Sequence, residues 1–456
     1  MTDKLKFIES IKHRYAQHNI SVIKKREFIR NESFEPNSKI YVSSANGPFL
    51  FGIDGQRYID LVLGGGAILL GHGAEIVVDA ARKALDLGTI FVQPHLVGEQ
   101  LAETILECLP NHLGGVVFCS SGTEATLRAI RLARAFTGKD KIAVFSGGWH
   151  GSHDYVLIGE EYSKSSGGTP ASALASAGIP ESIKDMCLLL PYNNDMALDM
   201  IEKHRNQLAM VLIEPIQGSN PRDDVAHFLT ELRSVTTKNS VLLGFDEIIT
   251  GFRLGIGGAQ EHFGIEADLV MLGKAVGGGF PLAAVAGRSD IMDKVKDGVF
   301  MGGTFSANPF ACSISLALVS YLQKNGEGIY SKLEANGQLL KGNINNFCQA
   351  NSVPVRMWGT KSFLRLIFTD QLIQSRKDRD AMESPQSIQK LFFSELANRG
   401  IMVSSNRIIF LSAAHDMVLV EDIARSINNL LLEFFINGLF DENDDINKVG
   451  VNDKTL

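Results

Sequence analysis

The sequence predicts an α/β protein built on a large, mostly parallel sheet with helices on both faces and joined to a smaller C-terminal α/β unit. Three observations carry this reading. Short apolar runs alternate with stretches of helical spacing through the middle of the chain. The chemically unusual residues follow directly after those runs, as they do where ligands bind at the carboxyl ends of parallel strands. At 456 residues the chain is also long for a single domain.

Taken in order, residues 4 to about 30 set Phe7, Ile8, Ile11 and Tyr15 at helical spacing and read as an N-terminal arm. Between Lys39 and Asp60 the apolar spacing shortens, and Asn46-Gly47 and Asp54-Gly55 have the composition of hairpin turns. Residues 1–60 are assigned, as arm and strands, to the smaller unit. Residues 61–328 form the large ligand-binding domain, with strand candidates at Val116–Cys119, Ile142–Phe145, Met210–Ile213, Val241–Phe245 and Leu269–Leu272. Within it, Ser163–Pro180 is rich in Ser, Gly and Ala and reads as a lid or an unstructured loop. Residues 329–440 form the small C-terminal domain. It comprises a long helix, strands at Val353–Trp358 and Phe363–Phe368, then helix, strand and a last helix from Glu421 to about Asn437. Residues 441–456 are a polar tail.

Composition narrows the function classes. Hydrophobic residues make up 45% and charged residues 21%, the mix of a soluble globular protein that needs no metal to hold its core. A net charge of −7, with both signs interspersed, argues against nucleic acid or an anionic membrane as partner. The five cysteines lie far apart without C-x-x-C pairs and read as reduced thiols. No secretory signal or membrane-spanning apolar run is evident, so the cytoplasm is the default location.

The chemistry gathers after the strands. Ser121-Gly122-Thr123-Glu124 joins the first strand to an amphipathic helix ending near Gly138, and its N–H groups and hydroxyls suit a phosphate. A plain helix cap explains the same residues. Gly147-Gly148-Trp149-His150-Gly151 follows the second strand. Trp149 can stack on a flat ligand, and His150 reads either as a ligand contact or as a hydrogen-bonded structural histidine. Asp246 ends an apolar strand, where a carboxylate needs a cationic partner such as a protonated ring nitrogen; with Ile248 close behind, a ring could be held between Ile248 and Trp149. Capping of a following helix is the alternative for Asp246. Lys274, after the fifth strand and before Gly277-Gly278-Gly279, is the most telling: desolvation makes an amine nucleophilic, and glycines let backbone approach a ligand.

Together S-G-T-E-A, G-x-[YW]-H-G, Glu214-Pro215, D-E-[VI]-x-T-G-F-R and G-K-x-x-G-G-G resemble the class III aminotransferases of pyridoxal 5'-phosphate (PLP) fold type I, and among them the glutamate-1-semialdehyde aminomutases. The resemblance runs from about Gly47 to the C-terminal helix. It implies the PLP-dependent transferase fold, with a seven-stranded sheet in the large domain and PLP held on Lys274 as a Schiff base. Asp246 then pairs with the pyridine nitrogen, Ser121, Gly122 and Thr123 hold the phosphate, Trp149 stacks on the ring, and Glu214 lies near Asp246. Thr304, in Gly303-Thr304-Phe305-Ser306-Ala307-Asn308-Pro309, resembles a threonine that reaches the phosphate of the neighbouring subunit, which implies a homodimer.

Three substrate-facing positions depart from the aminomutase pattern. No arginine occurs in Glu35–Ile40, Gly65 stands where a tryptophan is usual, and Ser404–Ile409 lacks a glutamate. The expectation is therefore an aminotransferase working between a small-molecule amino donor and a carbonyl acceptor through a pyridoxamine phosphate form, with room for a bulkier, less polar or carrier-linked substrate. An intramolecular aminomutase and a non-catalytic PLP-binding protein are the alternatives. No metal site is expected.

Overall fold

A computed structural model describes residues 40–161, 171–404 and 406–440, together with residues 6 and 10. Apart from residues 6 and 10, the expected N-terminal arm lies outside the described residues, as do residues 35–39 and the polar tail. Strands β1 (Val42–Asn46), β2 (Phe49–Gly52) and β3 (Arg57–Asp60) form an antiparallel meander. Its two turns use the expected glycines, Gly47 at φ +54° and Gly55 at φ +79°.

The large domain is built from β4 (Leu113–Cys119), β5 (Lys141–Phe145), β6 (Ile158–Glu161), β7 (Ala171–Leu174), β8 (Cys187–Leu190), β9 (Leu208–Ile213), β10 (Leu242–Glu247), β11 (Leu269–Leu272) and β12 (Ala283–Arg288). Seven of these make one sheet in the order β4-β12-β11-β10-β9-β5-β8. Every pairing in it is parallel except those of β12, which runs antiparallel to β11 and β4. All six residues of β9 and of β10 are buried, which is why those strands read as continuous apolar runs rather than alternating ones. The helix Gly122–Thr137 packs on β9, β11 and β12 and ends on Gly138 in the left-handed conformation.

All five strand candidates are present. Pattern alone missed β8 and β12; β12 reads Ala-Ala-Val-Ala-Gly-Arg, small residues that carry little strand propensity. Tight packing explains them: a Cβ on Gly287 would stand 2.6 Å from Leu269 Cδ2. The expected Ser163–Pro180 loop is corrected in its described part. Residues 171–174 form β7, paired antiparallel with β6, so the low-complexity composition concealed a hairpin strand.

The helix Pro309–Ala350 spans 42 residues and is capped by Asn308, whose Oδ1 accepts from Ala311 N at 2.8 Å. The expected division at residue 328 falls inside it. Leu318, Leu322 and Leu333 belong to the core of the large sheet, whereas Leu340, Ile344 and Cys348 belong to a second core. In that second core Phe368, Phe392, Phe393 and Phe434 pack edge to face at 5.3–5.8 Å, each buried ring contributing roughly 1.5–3 kcal/mol.

Strands β13 (Arg356–Thr360), β14 (Phe363–Ile367) and β16 (Ile408–Phe410) form an antiparallel sheet, and the short β15 (Ile401–Met402) pairs parallel with β3. Strand β13 begins later than expected because Pro354 breaks the Val353–Val355 stretch. The last helix, Met417–Ile436, starts earlier than expected, at an N-cap where Asp416 Oδ1 accepts from Leu419 N at 2.8 Å. Among the described residues, no helix is long and apolar enough to cross a membrane.

Candidate active site

The carboxyl ends of β4, β5, β9, β10 and β11 open on one cavity of about 500 Å³, closed on its far side by β14, β16 and the helix Arg376–Met382. Ser121, Gly122, Thr123, Trp149, His150, Glu214, Asp246, Ile248 and Lys274 all line it. Thr304 does not. It lies on an exposed turn beside Phe305, itself 64% exposed.

At the end of β4, Ser121 adopts an extended conformation and caps the helix that follows. Its Oγ accepts from Glu124 N at 3.2 Å, and Glu124 Oε2 accepts from Ser120 N at 2.6 Å. The capping alternative is thus realised at Ser121, while the first helical turn still turns its N–H groups and dipole to the cavity. Thr123 Oγ1 accepts from Ser152 N at 3.2 Å. The cradle is narrow and depends on glycine. A Cβ on Gly151 would stand 2.7 Å from Thr123 Oγ1, and one on Gly122 or Gly273 would stand 3.1 or 2.9 Å from Ile248.

Asp246 is buried, and β10 runs one residue past it to Glu247. Its Oδ1 accepts from Ile248 N at 3.1 Å, and its Oδ2 lies 2.7 Å from His150 Nδ1. A turn follows instead of a helix, so Asp246 is no helix cap. The imidazole provides the partner that a carboxylate at the end of an apolar strand needs. Glu214 closes the same corner: Oε2 accepts from Trp149 N at 2.9 Å and Oε1 from Gly218 N at 3.2 Å. Burial pushes its carboxyl up to about 7, with the nearby Asp246 charge adding to the shift and His150 opposing it.

Lys274 follows Gly273 with a left-handed backbone, φ +48°, a conformation that costs a side-chain-bearing residue roughly 1–2 kcal/mol. Burial lowers its amine to about 8; the carboxylates of Glu214 and Asp246 oppose the shift, and the guanidinium of Arg253 reinforces it. A lysine so placed is unprotonated in a far larger fraction near neutral pH than an ordinary lysine, and so is the more nucleophilic.

Two substrate-facing departures have structural counterparts. Gly64, Gly65 and Gly66 are all left-handed, at φ +63°, +70° and +89°, so a tryptophan at 65 would require strained backbone as well as space. The missing arginine of residues 35–40 does not leave the cavity without arginines. Arg365, Arg376, Arg379 and Arg407 line it, from β14, the helix Arg376–Met382 and the turn before β16. The expectation of a bulkier, less polar substrate rested on Glu35–Ile40, Gly65 and Ser404–Ile409 together; these four arginines add charge to one wall of the cavity. Sequence reading missed these arginines because they converge from segments distant along the chain. One signal was legible: Arg365 interrupts the apolar run Phe363-Leu364-Arg365-Leu366-Ile367, where a buried charge needs a reason.

Comparison with known proteins agrees with this geometry. The family model described as aminotransferase class-III matches residues 32–407. The chain belongs to the class-III aminotransferases. Among relatives of this class-III aminotransferase, the glutamate-1-semialdehyde 2,1-aminomutase of Methanothermobacter thermautotrophicus is 36% identical over 397 residues, covering 85% of this chain and 91% of the relative. Among solved structures, an omega-transaminase from Sphaerobacter thermophilus superposes with a TM-score of 0.82 at 27% identity, covering 93% of this chain and 97% of the other. A beta-phenylalanine aminotransferase from Variovorax paradoxus gives the same TM-score and identity, with coverages of 95% and 98%. The large-domain sheet is that of PLP fold type I, and the protein is a PLP-dependent enzyme. The cavity fits that cofactor: a glycine-lined cradle at a helix N-terminus for the phosphate, a buried carboxylate for the ring nitrogen and a desolvated lysine for the aldehyde.

Proposed function

We propose that this class-III aminotransferase moves an amino group between two small molecules, from an amino donor to a carbonyl acceptor. The observation that carries the reading is the convergence of Lys274, the Asp246–His150 pair and the Gly122–Thr137 helix N-terminus on one cavity. When bound, PLP supplies an electron sink for the Cα–H bond that must break. Ser121, Gly122 and Thr123 would hold its phosphate, and Trp149 and Ile248 would lie against its ring. Asp246, oriented by His150, would hold a proton at the ring nitrogen. Lys274 would hold the cofactor through its Nζ and, once freed, take up the Cα proton there. Glu214 fixes the Trp149 backbone.

Gly65 supports transfer between molecules over rearrangement within one. A mutase must retain the deaminated half of its substrate, whereas a transferase must release it and admit a second molecule. At Gly65 the cavity wall carries no side chain that could bar exchange. The aminomutase relatives favour the second reading, an intramolecular shift. Incubation with glutamate-1-semialdehyde alone, against paired donors and acceptors, separates the two. Amine product formed only when both partners are present supports transfer. Efficient isomerisation of the semialdehyde to 5-aminolevulinate without a second substrate would overturn it.

We further propose a homodimer in which Thr304 completes the neighbouring subunit's phosphate site. Its exposed turn beside Phe305 is suited to such a contact. Five buried cysteines without disulfides suit the reducing cytoplasm.

A further inference from the structure

Among the described residues, the cavity wall contributed by the C-terminal part of the chain holds more guanidiniums than carboxylates paired with them. Arg379 and Arg407 share Glu383 Oε2, at 3.4 and 3.2 Å, and Arg379 and Arg376 share Asp380, at 2.5 and 3.4 Å. Arg365 has no carboxylate partner among the described residues. It donates from Nη1 to Asn406 O at 2.6 Å, while its buried Nε has no hydrogen-bond partner. Among the described residues, these four guanidiniums therefore form ion pairs with only two carboxylates. Glu160 also faces this group, within electrostatic reach of Arg376 first and then of Lys377. Arg365 and Arg379 are 2% and 3% exposed, so the surplus is largely withdrawn from water.

The wall abuts the reaction site. Arg379 donates to Ser219 O, Ser219 Oγ donates to Gly147 O at 2.6 Å, and a Cβ on Gly147 would stand 3.0 Å from Arg376 Cβ. Gly147 opens the loop that bears Trp149 and His150. Buried guanidiniums in excess are costly unless an anion completes them, and their planar forks suit carboxylate or phosphate oxygens.

We propose that Arg365, Arg376, Arg379 and Arg407 form a substrate subsite for a group carrying two negative charges, a dicarboxylate end or a phosphate monoester. The substrates of this enzyme are then amino and carbonyl compounds bearing such a group besides the reacting carbon. This rests on the amino-transfer reading, because it names what the same cavity takes.

The test is calorimetric titration of the full-length, PLP-loaded protein with glutarate, inorganic phosphate and acetate at matched ionic strength, so that PLP already occupies its own phosphate cradle. Glutarate or phosphate should bind at least about tenfold tighter than acetate, and Arg365→Met should weaken that binding by about tenfold or more, the scale of one charge-assisted hydrogen bond. Arg376→Gln, on the more exposed side of the group, should weaken it too and guards against a folding defect in Arg365→Met. Binding of glutarate alone identifies a dicarboxylate end; binding of phosphate alone identifies a phosphate ester. Binding no tighter than acetate, or binding unchanged in both variants, overturns the proposal. Failure of the protein to take up PLP would instead break the amino-transfer reading, and the two failures stay distinct.

Discussion

His150 Nδ1 and Asp246 Oδ2 lie 2.7 Å apart, with both side chains no more than 4% exposed. The histidine thus touches the carboxylate assigned to the ring nitrogen and acts through it, as a positioning residue. His150→Phe should slow Cα-proton removal by about 10- to 100-fold, the value of one hydrogen bond to a charged group, with little change in KM. His150→Asn, which keeps a donor near Nδ1, should restore part of the rate. Single-turnover absorbance with a saturating amino donor measures this. Equal rates in all three proteins would show that the pair is structural.

The Lys274 amine gives a pH signature. Only the unprotonated amine attacks the aldehyde, and burial lowers its pKa to about 8. The rate at which PLP-free protein captures PLP should therefore rise about tenfold per pH unit below that value and level off above it. An ordinary lysine would keep gaining rate to about pH 10. A profile that climbs to that point would contradict the desolvated site.

Arg253 tests the frame. It is fully buried without a carboxylate partner among the described residues. It donates to Gly66 O at 2.6 Å, Leu411 O at 3.2 Å and Ser362 Oγ at 3.0 Å, tying the left-handed glycines to the C-terminal sheet. Arg253→Ala leaves two buried carbonyls unpaired and should cost at least about 3 kcal/mol, read as a lowered denaturation midpoint. A loss under about 1 kcal/mol would mean that water replaces the guanidinium.

The proposed role of Thr304 calls for hybrid dimers. Mixing Lys274→Ala with Thr304→Ala protomers should yield more activity than either parent, because the site with a good lysine borrows threonine from the other chain. Subunit exchange shown by mass without regained activity would mean that Thr304 serves its own subunit or none.

How much of this was legible follows from how the signals are written in the chain. Strands β5, β9, β10 and β11 were readable because burial on both faces leaves unbroken apolar runs, and the edge strand β4 because Val116–Cys119 is apolar, each leading directly into residues of the cavity. Lys274 stood out by contrast with its apolar and glycine neighbours. The partner of Asp246 was not readable, because His150 lies 96 residues away and reaches it only when β5 and β10 stand on either side of β9. The arginine wall was hidden for the same reason, being assembled from β14, the helix Arg376–Met382 and the turn at Arg407, whose φ of +64° follows no glycine signal. Strand β12 was missed because packing rather than propensity makes its alanines extended.

The most direct test of the central claim is borohydride reduction of the PLP-loaded protein followed by peptide mapping. A reduced PLP adduct should appear on the peptide bearing Lys274 and be absent from Lys274→Ala, which should also lose all turnover. An adduct on a different lysine, or undiminished turnover in Lys274→Ala, would contradict that claim.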